Sequence, residues 1–496
     1  MRGQTAGFQW LKEHLNLQYF NLTHVSIIGS RNKIEIGIDN VVEETFGAKY
    51  APVEDDMLPH IEFGLKYDDF NLDFLNAVFK QTDEDEIIRY IQKNPTGKYS
   101  RKIGFLYEWL TEKKLYIDFS IKGNYVDLLD SEKYVTSSVN KNSKWRINDN
   151  LLGGKDFCPI VRNTHQLKEL LNVDYSGEIE HLKSEYSAEI FNRATQYLYR
   201  KETKSSYEIE SEKPTADRMN RFVNLLYDAG KKSVQETLTE KNLTHLQNAI
   251  VDPRYKQDGY RKFQNYIGQT NYRLEEIYHY VCPPFMLVHP MMDGLLTSEE
   301  KTRSLSSIIR AAIVSFGFVF IHPFLDGNGR IHRFLIHDFL ARDGFVEKGV
   351  IIPVSAHMLN NMAEYDAILE SYSMPLMKRI QFSKDEEGEL IINNIEEVES
   401  YYKYPDLTAQ TLFLAKTIKE TIKQDLNDEL VFLERYDELK KEILNLIDMP
   451  DQRANEIIVF LHQNKGVFPN RRKKNFSEIT EDEFSRIEEI YQAIFS

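Results

Sequence analysis

His322-Pro323-Phe324-Leu325-Asp326-Gly327-Asn328-Gly329-Arg330-Ile331-His332-Arg333 decides the reading of this chain. It brings a candidate base, a carboxylate, a glycine-rich turn and two arginines to one junction between helices. Before it, Ile308, Ile309, Ala312, Ile313, Phe316 and Val319 recur at helical spacing, so the chain reaches His322 along a largely buried helix. Pro323 disfavours helical backbone at the residue before it, and Gly327 and Gly329 supply turn conformations that side chains resist. The spacing predicts a helix end near His322 and a tight loop over 326–329. Ile331, Phe334, Leu335 and Phe339 then restore the helical period, with Gly344 as a terminator, so a second helix begins near Arg330.

Such a junction suits phosphate. The first turn of a helix leaves backbone N–H groups without partners, and with the helix dipole they form an anion site that flanking glycines let phosphate approach. Arg330 and Arg333, three apart, extend from one face and can hold further phosphates. Asp326 beside that site is suited to a Mg²⁺ ion shared with substrate phosphates. His322 is the candidate general base. Singly, each residue has an ordinary structural reading, a histidine closing an apolar helix or an Asp-Gly-Asn-Gly turn. Their coincidence in twelve residues points to chemistry.

These twelve residues resemble the active-site motif of the Fic family, H-P-F-x-[D/E]-G-N-G-R-x-x-R, at every specified position. The resemblance implies a mostly α fold: a helical Fic core with a small β-hairpin flap, expected over 181–385. It implies a protein adenylyltransferase that moves AMP from ATP, with Mg²⁺, to a Ser, Thr or Tyr hydroxyl of a target protein or of itself. His322 would deprotonate the hydroxyl and Asp326 would ligate Mg²⁺. Gly327, Asn328 and Gly329 would cradle the α- and β-phosphates, and Arg330 and Arg333 the outer ones. A branch of the family that transfers the γ-phosphate carries lysine where Gly329 stands, which favours AMP transfer here.

Flanking segments extend the resemblance. Tyr260 to Gly268 and Tyr280 to Pro284 are similar to the approach to the flap, which in relatives pairs a target segment beside the histidine as an added strand. Ser355 to Asp366 resembles the stretch lining the adenine pocket, with Asn361 and Tyr365 at the matching places. Lys204 to Ser211 resembles the inhibitory helix, [S/T]-x-x-x-E-[G/N], with Ser206 and Glu210 on one face of a helix. By that resemblance Glu210 reaches Arg333 and takes the space of the γ-phosphate, so the resting protein is autoinhibited. Ser211 departs from the pattern, where Gly or Asn is usual.

The remainder is bounded by composition. The 496 residues, 42% hydrophobic, suit about three domains. A net charge of −15 argues against broad binding to nucleic acid or anionic membrane. Cys158 and Cys282 are far apart and offer no disulfide framework, which fits a reducing compartment. Met1 to Gln4 leads into polar sequence and the apolar stretch 311–321 is too short for a bilayer, so a cytoplasmic protein without membrane contact is expected. There is no P-loop, no H-E-x-x-H and no paired C-x-x-C. His332 and His337, five apart, point to different sides of a helix and do not suggest a metal pair.

An N-terminal module, 1–180, reads as α+β or helical: Ile61 to Phe63 and Ile117 to Ile121 alternate like strands, while Leu75 to Phe79 and Glu86 to Ile91 look helical. A C-terminal module, 386–496, is helical over Leu412 to Ile422 and Leu430 to Ile447. There Asp451 to His462, Lys465-Gly466 and Arg471 to Lys474 outline the recognition helix and wing of a winged-helix fold. DNA is a partner that this outline admits, and the acidic residues from Glu478 to Glu489 weigh against it. Self-association stays open. Two alternatives to AMP transfer remain: a regulatory protein that senses ATP and contacts DNA or a partner, and an enzyme that removes AMP with Glu210 positioning water.

Overall fold

The helices that flank the motif are buried on nearly every side, and the rest of the chain is arranged to cover them. In a computed structural model describing residues 3–37, 41–347 and 350–495, the protein is mostly α-helical.

The N-terminal module is α+β. Strands β1 (Gln4–Ala6), β2 (His24–Gly29), β3 (Lys33–Ile36) and β4 (Val42–Gly47) form a sheet in the order β1-β2-β4-β3, with β2 parallel to β4 and the other pairs antiparallel. Helices α1 (Gly7–His14), α2 (Met57–Tyr67), α3 (Leu72–Phe79), α4 (Glu84–Lys93) and α5 (Lys98–Thr111) pack with it around Phe8, Phe74, Leu106 and Trp145. A second small sheet, β5 (Val126–Asp127), β6 (Asn140–Asn142) and β7 (Ile147–Asp149), runs in the order β5-β7-β6. The strands expected at 61–63 and 117–121 are not formed. Residues 61–63 lie inside α2, where Leu58, Ile61 and Leu65 follow the helical period, and 117–121 have no regular structure. Alternation over three residues is too short to separate strand from helix. The helices expected at 75–79 and 86–91 are α3 and α4.

The core around the motif draws buried residues from Val135 to Leu430. Its elements are α6 (His165–Leu171), α7 (Tyr175–Glu185), α8 (Ala188–Glu208), α9 (Ala216–Tyr227), α10 (Val234–Thr237) and α11 (Glu240–Ile250), then the hairpin β8 (Tyr266–Thr270) and β9 (Glu276–Val281). There follow α12 (Phe285–Lys301), α13 (Ser307–Ile321), α14 (Asn328–Arg342), α15 (Val354–Asn360) and α16 (Met362–Met377), a hairpin of β10 (Phe382–Lys384) and β11 (Leu390–Ile392), α17 (Ile395–Lys403) and α18 (Thr408–Glu420). Every residue of α13 after Ser307 is buried. Strands β8 and β9 pair antiparallel with an irregularity at Ile267/Gly268, and β8 is exposed along its whole length. This is the expected flap.

A π-helical turn, Thr421–Leu426, carries α18 into α19 (Asn427–Leu446), followed by α20 (Asp451–Gln463), α21 (Asn470–Lys473) and α22 (Glu481–Phe495); α19, α20 and α22 share their own apolar core. The wing is not formed: residues 465–474 are a turn and the short helix α21, and no strand follows β11 among the described residues. Two of the basic side chains are engaged internally. Arg453 lies over Phe476 and pairs with Glu478, and Lys473 lies over Phe484 and pairs with Glu481. No helix among the described residues is long and apolar enough to cross a membrane.

Candidate active site

Helix α13 stops because His322 turns left-handed, at φ 54° and ψ 59°, a conformation that costs a side-chain-bearing residue roughly 1–2 kcal/mol. One residue answers the carbonyls thereby released. Arg261 is 1% exposed; its Nε donates to His322 O at 2.8 Å, its Nη2 to Pro283 O at 2.6 Å and Ile321 O at 3.4 Å, and its Nη1 to Phe263 O at 3.0 Å. Its backbone N–H donates to Pro323 O at 2.8 Å. A single guanidinium thus ties the end of α13 to both feet of the flap. Asn265 adds a second tie, donating from Nδ2 to Phe324 O at 3.1 Å and Leu325 O at 3.4 Å. Neither role was read from the sequence; the one signal is a charged residue between Tyr260 and Phe263 in a segment that the family pattern joins to the flap.

His322 Nδ1 lies 3.1 Å from Val319 O. A carbonyl only accepts, so Nδ1 carries the hydrogen and Nε2 keeps a bare lone pair. Burial holds the imidazole down at about 4, with Val319 O opposing the shift, so it is neutral at ordinary pH.

Helix α14 begins at Asn328, two residues before Arg330, with Gly327 as its N-cap at φ +88°. Gly329 therefore sits in the first helical turn and not in the loop. Close approach explains it: a Cβ there would lie 2.5 Å from Glu210 Oε1. The buried side chain of Asn328 is spent on the loop, accepting from Phe324 N at 3.0 Å and donating to Phe324 O at 2.8 Å. What it can offer an anion is its backbone N–H. Asp326 Oδ1 accepts from Gly327 N at 2.6 Å and Arg330 Nη2 at 2.7 Å, while Oδ2 takes no hydrogen bond among the described residues. One half-exposed carboxylate beside a helix N-terminus fits what Mg²⁺ would need from the protein if phosphate and water completed its shell. It is not an all-protein cage; no cluster of three or more metal-ligating side chains occurs among the described residues.

Both motif arginines are almost wholly buried, and Glu210 bridges them. Its Oε1 accepts from Arg333 Nη2 at 2.8 Å, and its Oε2 lies 2.7 Å from Arg330 Nε, an ion pair too misaligned to count as a hydrogen bond. The expectation from family pattern named only Arg333. Ser206 serves the same guanidinium, accepting from Arg333 Nε on Oγ at 2.8 Å and from Nη2 on its carbonyl at 2.7 Å. Glu210 lies just past the last turn of α8, and Ser211 follows at φ +55°. Gly and Asn tolerate that conformation best, which accounts for the usual residues at this place; serine holds it under strain. Burial opposes the charge on Arg330, and Glu210, Asp326 and Glu212 more than offset it, so its pKa lies above the ordinary arginine value.

Tyr365 is buried, which raises its phenol pKa against the opposing pull of the neighbouring Arg333. Asn361 is exposed and donates to His357 O at 2.9 Å. The two histidines inside α14 diverge as expected, His332 toward the Phe316 ring and His337 onto Glu202 at 2.6 Å.

Residues 237–340 match the model of the Fic/DOC family. Over 91 residues the chain is 40% identical to the protein adenylyltransferase fic-1 of Caenorhabditis briggsae, which is 18% of this chain and 16% of that protein. Over 56 residues it is 43% identical to the protein adenylyltransferase Fic of Drosophila grimshawi, 11% of each. The chain thus spans less than a fifth of the length of these relatives. Among solved structures, a Fic family protein from Desulfovibrio desulfuricans G20 aligns with 54% of this chain and 75% of its own at TM-score 0.38 and 16% identity. A Fic-domain signaling protein from Bacteroides thetaiotaomicron aligns with 53% and 97% at TM-score 0.35 and 17% identity.

Replacing Arg261 with methionine leaves several buried carbonyls unpaired, at about 1–3 kcal/mol each. Arg261→Met is expected to lower the thermal midpoint by several degrees and to speed amide hydrogen exchange at Phe318 to His322; an unchanged midpoint would show that the staple is dispensable. For His322, a folded pKa of about 4 against an ordinary 6.5 means that stability is complete above pH 6.5 and is lost as pH falls toward 4, on the order of 2–3 kcal/mol. NMR titration should place the imidazole midpoint near 4, and His322→Gln should flatten the loss of stability over that window.

Proposed function

With a Fic domain in residues 237–340 as the premise, we propose that this chain is a protein adenylyltransferase that transfers AMP from ATP to a Ser, Thr or Tyr hydroxyl of a target protein, and that Glu210 holds it inactive. The observation that carries the reading is the Glu210 carboxylate lying across Arg330 and Arg333, with Asp326 on the same Arg330 guanidinium.

In the active arrangement the backbone N–H groups at the start of α14 face the α- and β-phosphates, where dipole and unpaired donors favour anions. Asp326 would hold Mg²⁺, which when bound neutralises charge on the phosphates. Arg330 and Arg333 would take the outer phosphates once Glu210 has left them. The target hydroxyl is held beside His322 by pairing along exposed β8. His322 Nε2 takes the hydroxyl proton as the oxygen attacks the α-phosphorus; the new P–O bond forms and the bond to pyrophosphate breaks. The work of the residues is positioning and charge neutralisation, as phosphoryl-type transfer requires. Asn361 and Tyr365 would face the adenine by the family resemblance, which requires Tyr365 to be uncovered from between His332 and Phe413. Regulation follows from the same geometry, because a γ-phosphate and the Glu210 carboxylate compete for the same two guanidiniums.

Label transfer from α-³²P-ATP with Mg²⁺, in cell lysate, by wild type, Glu210→Gly and Glu210→Gly/His322→Ala tests the reading. Glu210→Gly is expected to exceed wild type by at least about tenfold, a change of ~1.4 kcal/mol, and the added His322→Ala to abolish the gain. A Glu210→Gly variant that binds ATP yet labels nothing would refute transfer, and loss of label from a modified protein in its presence would point to AMP removal.

A further inference from the structure

Glu212 lies outside the inhibitory pattern and closes a second ion-pair cluster behind Arg330. Because Ser211 turns left-handed, the chain folds back, and the Glu212 N–H donates to Tyr207 O at 3.1 Å. Its carboxylate sits between two guanidiniums, Oε2 on Arg330 Nη1 and Oε1 on Arg218 Nη2. Arg218, on α9, donates through Nε at 3.1 Å and Nη2 at 2.8 Å to Ile250 O. That carbonyl also accepts from Tyr207 Oη at 2.8 Å and from Arg330 Nη1 at 3.3 Å. Both guanidiniums lie over the Tyr207 ring, 5.2 and 5.3 Å from its centre.

We propose that Glu212, backed by Arg218, is the positioning residue that keeps Arg330 aimed at the nucleotide's outer phosphates after Glu210 has moved away. The inference rests on the adenylyl-transfer reading and concerns the same site. Arg330 has five N–H donors. The Nη1 pair is committed to Glu212 and Ile250 O, one Nη2 hydrogen to Asp326, and Nε faces Glu210. Nε makes no hydrogen bond even with Glu210 in place and one Nη2 hydrogen is uncommitted, so departure of Glu210 leaves two donors of the fork for phosphate oxygens. Nη1 lies on the other side, so Glu212 does not compete with phosphate. Without Glu212 the buried guanidinium would keep Asp326 as its one carboxylate and be drawn onto the oxygen acid assigned to Mg²⁺. Arg218 shares Glu212, so three arginines face three carboxylates and the cluster stays neutral with Glu210 in place.

Binding of Mg·ATP and of AMP to Glu210→Gly and to Glu210→Gly/Glu212→Gln, by isothermal titration calorimetry, tests it. AMP lacks the phosphates that Arg330 would hold, so the ratio of the two affinities reports aim and not general folding. ATP affinity is expected to fall about tenfold, the equivalent of ~1.4 kcal/mol, while AMP affinity stays within roughly a factor of two. Should Glu212→Gln not fold, Arg218→Lys, which shortens the support of Glu212, is expected to shift the ratio in the same direction. An unchanged ATP affinity, an equal loss for both ligands, or tighter ATP binding of the kind a second inhibitory carboxylate would give each overturns the proposal. If the Glu210→Gly parent binds no ATP, the transfer reading fails and this inference with it; if the parent binds and transfers but the ratio does not move, the inference alone fails.

Discussion

Two guanidiniums buried at the start of one helix impose the central constraint. Arg330 and Arg333 are each about 1% exposed, and a charge removed from water without partners is strongly destabilising. In the unliganded protein the neutralising charge has to come from the chain, and it comes from Glu210, Glu212 and Asp326. The end of α8 is therefore drawn onto the first turn of α14. At Gly329 the Glu210 carboxylate comes so close that a Cβ would require it to shift. The inhibition proposed for Glu210 would then be the folded protein satisfying two cations that substrate phosphates would otherwise satisfy.

A second constraint couples the flap to the motif. The left-handed turn at His322 aims the imidazole, and it persists because Arg261 collects the carbonyls at the end of α13. The same guanidinium holds Phe263 and Pro283 at the two feet of the β8–β9 hairpin. The position of the hairpin and the orientation of His322 thus share one buried residue, and neither can shift far without the other.

Much of this was legible in the chain. The buried helix into His322, the Gly327 turn and the helix beyond it follow from periodicity and glycine placement, because those signals are local. The pairing of Glu210 with Arg333 came from resemblance to a family pattern. Its second contact, with Arg330, did not, since 120 residues separate the partners and no periodicity links them. The same holds for Arg261 and Glu212, which look like ordinary charged residues until the fold brings buried carbonyls and cations to them. Gly329 was read as a turn residue because glycine signals freedom and crowding alike. Three residues at 61–63 were too few to tell one period from the other, 117–121 alternates but pairs with no strand among the described residues, and a turn and α21 stand where the wing was expected, with Arg472 over Phe460 and Lys473 over Phe484.

The central claim is that Glu210 stands in for the outer phosphate. The most direct measurement compares the affinities of wild type and Glu210→Gly for ADP and for ATP, in the presence of Mg²⁺. If the claim holds, wild type binds the two nucleotides about equally, because the partners of the γ-phosphate are taken, and Glu210→Gly gains a preference for ATP of about tenfold. A wild type that already prefers ATP as strongly as the variant does would contradict it.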